Sequence, residues 1–252
     1  PALLTLVKVV DNGDTGATAT PADWTLSAAG SITVTGAGNS AEVTAQTVPA
    51  GNYTLSETDG PSGYTASAWN CGTATVTGST VTVPNGGDVT CTITNTAVAP
   101  TLTLVKVVDN GNTGATTAAT AWTLTADGPS RISGATGSAS VTDATANVGT
   151  YQLSESTIPG YSASAWVCTG GTGSTDSSVT LAAGSNATCT ITNTAIAPTL
   201  TLVKQVQNNY GGTAVATDWT LTGVGPLSIS GASGSPAVTG AVVQTGVYNL
   251  SE

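Results

Sequence analysis

Along residues 3–10, LLTLVKVV, side chains alternate between two faces of an extended strand, and Leu4, Leu6 and Val10 share one face with Lys8. Similar alternation, interrupted by turn residues such as Asp11-Asn12-Gly13 and Asn85-Gly86-Gly87, predicts further strands at 23–28, 31–35, 41–46, 52–58, 64–71, 79–84 and 89–97. Thr, Ser, Ala, Gly and Val dominate the chain, a composition that favours short strands and Gly-rich turns over long helices. The expected fold is all-β, a Greek-key β-sandwich of Ig-like kind.

The pattern then repeats. LTLVKVVDNG around Lys8 returns around Lys106 and, as LTLVKQVQNN, around Lys204, at a spacing of 98 residues. Trp24, Trp122 and Trp219 keep this register, as do Tyr53, Tyr151 and Tyr248. A period this long lets each unit own a core, so the chain reads as tandem domains in a linear array: repeat 1 over 1–98, repeat 2 over 99–196 and a truncated repeat 3 over 197–252. Short junctions containing Pro100 and Pro198 leave little slack and predict a semi-rigid rod whose nearest partners are its own neighbouring repeats. Both ends read as cuts from a longer array, and an unfilled third sandwich would accept a strand from another subunit in a homopolymeric filament.

Charge narrows the partners. Fourteen acidic residues against four basic ones give a net charge of −10, which argues against nucleic acid and against contact with an anionic membrane. The absence of histidine removes imidazole metal ligands and the usual Ser-His and Cys-His nucleophile pairs.

Of those four basic residues, three are the lysines of the repeated first strand, where alternation turns them inward. The same parity places Glu57 with Tyr53 and Leu55, and Asn95 with Cys91 and Ile93. Unpaired buried charges cost several kcal/mol, so these groups must pair, neutralise or react. Desolvation favours a neutral amine on lysine and a proton on glutamate, which sets a nucleophile and an acid beside the Asn95 amide. The product would be a Lys8–Asn95 isopeptide bond with Glu57 as the promoting acid. The alternative is a buried Lys–Glu ion pair hydrogen-bonded to Asn, without covalent chemistry.

First-strand Lys, a central Glu after an aromatic residue and Leu (YTLSE, YQLSE), and a late Asn (VTCTITN, ATCTITN) together resemble the Cna B-type or SpaA-like prealbumin-fold domains of Gram-positive surface proteins, particularly Thr-rich repeats of actinobacterial wall proteins. The resemblance covers nearly the whole chain. It implies one triad of Lys8, Glu57 and Asn95 and a second of Lys106, Glu155 and Asn193. Repeat 3 departs from the pattern, supplying Lys204 and Glu252 but ending before any late asparagine that would match Asn95 or Asn193.

Cysteines come as one pair per complete repeat, Cys71 with Cys91 and Cys168 with Cys189. Two disulfides in an oxidising, extracellular compartment are the natural reading; a reduced buried pair is the alternative, and a four-ligand zinc set cannot be assembled. Asp11-Asn12-Gly13-Asp14 reads as a hairpin turn rather than a calcium loop, because repeat 3 lacks its carboxylates. The expected function is structural: a cell-surface stalk, pilus or filament module with no cofactor, no metal and no enzymatic turnover. The rival is an adhesin whose loops bind a host protein or glycan.

Overall fold

The first strand, β1 (Ala2–Asp11), buries Ala2, Leu4, Leu6 and Lys8 while Leu3 and Val9 face outward, as a two-residue pleat requires. The computed structural model describes all 252 residues. In repeat 1, β1 is followed by β2 (Thr25–Ala29), β3 (Thr33–Ala37), β4 (Gln46–Val48), β5 (Gly51–Thr58), β6 (Tyr64–Ala66), β7 (Val76–Thr77), β8 (Thr80–Val83) and β9 (Asp88–Ala97). They form two sheets, ordered β4-β1-β9-β6 and β3-β2-β5-β8-β7. Leu4, Leu6, Cys91 and Ile93 from one sheet pack against Leu26, Ala28, Tyr53, Leu55 and Val81 from the other.

β1 and β9 run parallel, paired from Leu3 with Asp88 to Asp11 with Thr96, whereas every other pair in the repeat is antiparallel. The first and last strands are therefore central neighbours in one sheet. The chain enters at one end of this pair and leaves at the other, which loads it in shear when the repeat is pulled.

Several predicted strands are shorter or absent. Residues 41–46 are not a strand: Ala41–Val43 forms a 3-10 turn that drops Val43 into the core, and pairing starts only at Gln46. The Gln46 side-chain amide ties this turn by donating to the Ala41 and Thr44 carbonyls. The strand expected at 23–28 begins at Thr25, because Pro21–Asp23 forms another 3-10 turn in which the Asp23 carboxylate accepts the Thr20 N–H. The strand expected at 64–71 stops at Ala66, and beyond it the chain meets β9 through Ser67, an isolated Asn70–Thr92 bridge and the Cys71–Cys91 disulfide. Asp11–Asp14 does not turn a hairpin, since β1 and β2 lie in different sheets and the loop crosses between them.

Repeat 2 repeats the plan, with Thr101–Asp109 parallel to Asn186–Ala195 over its own core. In repeat 3, Thr220–Val224, Ile229–Ala232 and Asn249–Ser251 form one sheet over a smaller core of Leu202, Leu221, Ile229, Val238 and Val243. Residues 201–208 pair with no strand there. No helix is long and apolar enough to cross a membrane.

Candidate crosslink site

Parallel pairing sets Lys8 opposite Ile93 and Val10 opposite Asn95, so Lys8 and Asn95 are diagonal neighbours on the inner face of adjacent strands. Glu57 comes from β5 in the facing sheet, and its Oε2 lies 2.6 Å from Lys8 Nζ. Repeat 2 has the same Lys–Glu contact, with Lys106 Nζ 2.6 Å from Glu155 Oε2, and there Asn193 Nδ2 also donates to Glu155 Oε1 at 2.8 Å. Both lysines and both asparagines are buried, with Lys8 1% exposed and Asn95 3%. Asn95 Oδ1 and Asn193 Oδ1 are buried without a hydrogen-bond partner. In repeat 3, Lys204 Nζ reaches Glu252 Oε2 at 2.6 Å, but the pair is part-exposed and no asparagine joins it.

The lysine is covered by a residue that alternation alone assigns only to the core. Trp24 lies with its ring centroid 4.7 Å from Lys8 Nζ, and Trp122 and Trp219 cover Lys106 and Lys204 at 4.9 and 4.6 Å. Tyr64 meets Trp24 edge-on at 5.2 Å, as Tyr161 meets Trp122 at 5.1 Å. The recurring Trp at nearly constant distance from each lysine was the available signal. Asn39 also escapes the alternation pattern: its side chain accepts the Lys8 N–H and donates to the Lys8 carbonyl, fixing the backbone where β4 has already ended. Thr136 and Ser233 accept the corresponding lysine N–H groups.

Burial pushes Lys8 and Lys106 below the ordinary lysine value of 10.5, and the hydrogen bond and charge of Glu57 or Glu155 offset this only in part. A depressed folded-state pKa means that the unfolded chain binds more protons between the two values, so stability rises with pH across that window. A chain carrying Asn95→Ala, in which Lys8 cannot be acylated, is expected to show the thermal midpoint of repeat 1 climbing as pH is raised towards 10.5. A midpoint that falls throughout that range would contradict the assignment.

All four cysteines are oxidised, in the bridges Cys71–Cys91 and Cys168–Cys189. Cys91 precedes Asn95 on β9, so the first bridge clips the irregular 67–71 segment to the strand that carries the amide.

Among solved structures, the Bacillus anthracis TIE protein is 14% identical over 90% of this chain, with a TM-score of 0.51; this chain spans 41% of that protein. This likeness concerns the fold alone. The major pilin T-13 of Streptococcus pyogenes is 16% identical, with 77% of this chain and 97% of that one covered and a TM-score of 0.33, too loose a superposition to build on. No curated protein matches the chain. The SpaA_2 model, described as a prealbumin-like fold domain, matches residues 1–93, 98–191 and 196–252. Three successive matches that together span nearly every residue establish that the chain belongs to this prealbumin-like fold domain family.

Proposed function

We propose that the chain is a load-bearing extracellular module, a stalk or filament segment of a bacterial surface, whose complete repeats crosslink themselves. The units are 1–98, 99–196 and 197–252. The observation that carries this reading is the inward Lys–Glu contact of 2.6 Å in both complete repeats, with a buried asparagine diagonal to the lysine on the neighbouring strand.

The chemistry follows from these contacts. Moving one proton along the 2.6 Å contact converts the ammonium and carboxylate into an amine and a carboxylic acid. Lys8 Nζ then attacks Asn95 Cγ, the Cγ–Nδ2 bond breaks, and Glu57 relays a proton from Nζ to the departing nitrogen, which leaves as ammonia. In repeat 2, half a turn of the Asn193 amide would exchange Nδ2 for Oδ1, letting protonated Glu155 donate to the oxygen that now lacks a partner. The fold supplies proximity, so no cofactor is needed, and the reaction happens once per repeat, without turnover.

A bond between β1 and β9 would tie the central parallel strands near the exit end of the repeat, in the path of a pulling force. The two disulfides support an oxidising working environment and, with it, a secreted or surface location. Intact mass spectrometry of the full chain tests the reading. The expected deficit, beyond the hydrogens lost in two disulfides, is one ammonia for each complete repeat; Asn95→Ala and Asn193→Ala should each remove one. A full unmodified mass would leave only buried ion pairs.

A further inference from the structure

The loop after the first strand of each complete repeat touches the next repeat, and it does so the same way twice. The Thr15 carbonyl accepts the Val148 N–H at 2.7 Å, and the Thr113 carbonyl accepts the Thr245 N–H at 2.6 Å. Gly16 and Gly114 follow with φ of 76°, and a Cβ there would press on the backbone of Val148 or Thr245 at 3.3 Å or less. Both partners of the joint are pinned. On the receiving side, the Tyr151 hydroxyl donates to the Asn147 carbonyl and the Tyr248 hydroxyl to that of Gln244, closing the short loop that offers the N–H. On the inserting side, the Asn12 side-chain amide donates to the Ala19 carbonyl while its Oδ1 accepts the Tyr64 hydroxyl at 2.6 Å; Asn110, Thr117 and Tyr161 repeat these contacts.

We propose that Asn12–Gly16 and Asn110–Gly114 are docking tongues whose partner is the Tyr-closed loop of the following repeat, and that Tyr64 and Tyr161 set the orientation of each joint by tying the tongue to the aromatic cover of the lysine. Each tyrosine is the common element, with its ring against the tryptophan over Nζ and its hydroxyl on the tongue. A second contact at the first joint, from the Gly184 N–H to the Val98 carbonyl at 2.7 Å, adjoins the same element, because the Val98 N–H donates to the Gly63 carbonyl next to Tyr64. Successive repeats are therefore held in one relative orientation by side chains, beyond the stiffness of a proline-containing linker.

Residual dipolar couplings on the full chain test this. In the unsubstituted protein, repeats 1 and 2 are expected to share one alignment tensor. Tyr64→Phe keeps the ring on Trp24 and removes only the hydroxyl; it should split repeat 1 from repeat 2 while leaving repeats 2 and 3 locked, and Tyr161→Phe should do the reverse. Val148→Pro removes the receiving N–H from the other side of the joint and should also free repeat 1, giving an independent test if Tyr64→Phe disturbs folding. Independent tensors in the unsubstituted chain, or a common tensor that survives both Tyr64→Phe and Val148→Pro, would overturn the proposal. The readout does not depend on isopeptide formation, which the mass measurement follows separately.

Discussion

Glu57→Ala is expected to abolish the ammonia loss of repeat 1 and to destabilise that repeat by about 3–5 kcal/mol or more. Two effects combine. Without the carboxyl there is no group at 2.6 Å to take a proton from Lys8 and pass it to the departing amide nitrogen, so the bond does not form. The lysine, 1% exposed, is then left in the core without its partner, facing the Trp24 ring alone. Repeat 2 serves as the control within the same molecule, because Glu155 is untouched and its ammonia should still be lost. Glu57→Gln should block the chemistry as fully with a smaller stability loss, since an amide can still accept from Lys8 but cannot carry the proton. Paired mass spectrometry and repeat-resolved thermal unfolding read both effects. Ammonia loss that persists in Glu57→Ala would remove the carboxyl from the mechanism, whereas destabilisation without any ammonia loss in the parent chain would mark the triad as a structural ion pair.

Removing the first bridge with Cys71→Ala and Cys91→Ala together is expected to cost about 3 kcal/mol, the loop-closure value for a separation of 20 residues. The corresponding pair in repeat 2, with a separation of 21, should cost the same. Replacing both partners avoids leaving a free thiol, and alanine suits the buried Cys91 position on the core face of β9. Denaturant unfolding of the variant beside the parent measures the difference. An unchanged midpoint would mean that the 67–71 segment is already held by its contacts to Thr92 and Thr94 and that the bridge adds nothing to the closed loop.

β1, β5 and β9 were legible to within a residue or two because each buries alternate side chains over a long run, so the pleat writes itself into the chain. Residues 41–46 were not, because one buried Val43 amid small and polar neighbours satisfies a strand pattern and a 3-10 turn equally well. The two-residue β7 left no periodic signal at all. Cysteine pairing was readable by counting, since each complete repeat offers only two.

The inward direction of Lys8, Glu57 and Asn95 is a local property, fixed by a side-chain period of two, and it is visible in the chain without any knowledge of the fold. Their meeting is not local. It depends on β1 and β9 lying parallel at the centre of one sheet, on β5 reaching across from the other, and on a tryptophan sixteen residues beyond the lysine folding back over its amine. Sequence periodicity reports which face a residue takes, but strand partners far apart in the chain are selected by the packing of the whole core. The joint between repeats belongs to that second kind, because a carbonyl and an N–H from different domains carry no pattern in either segment.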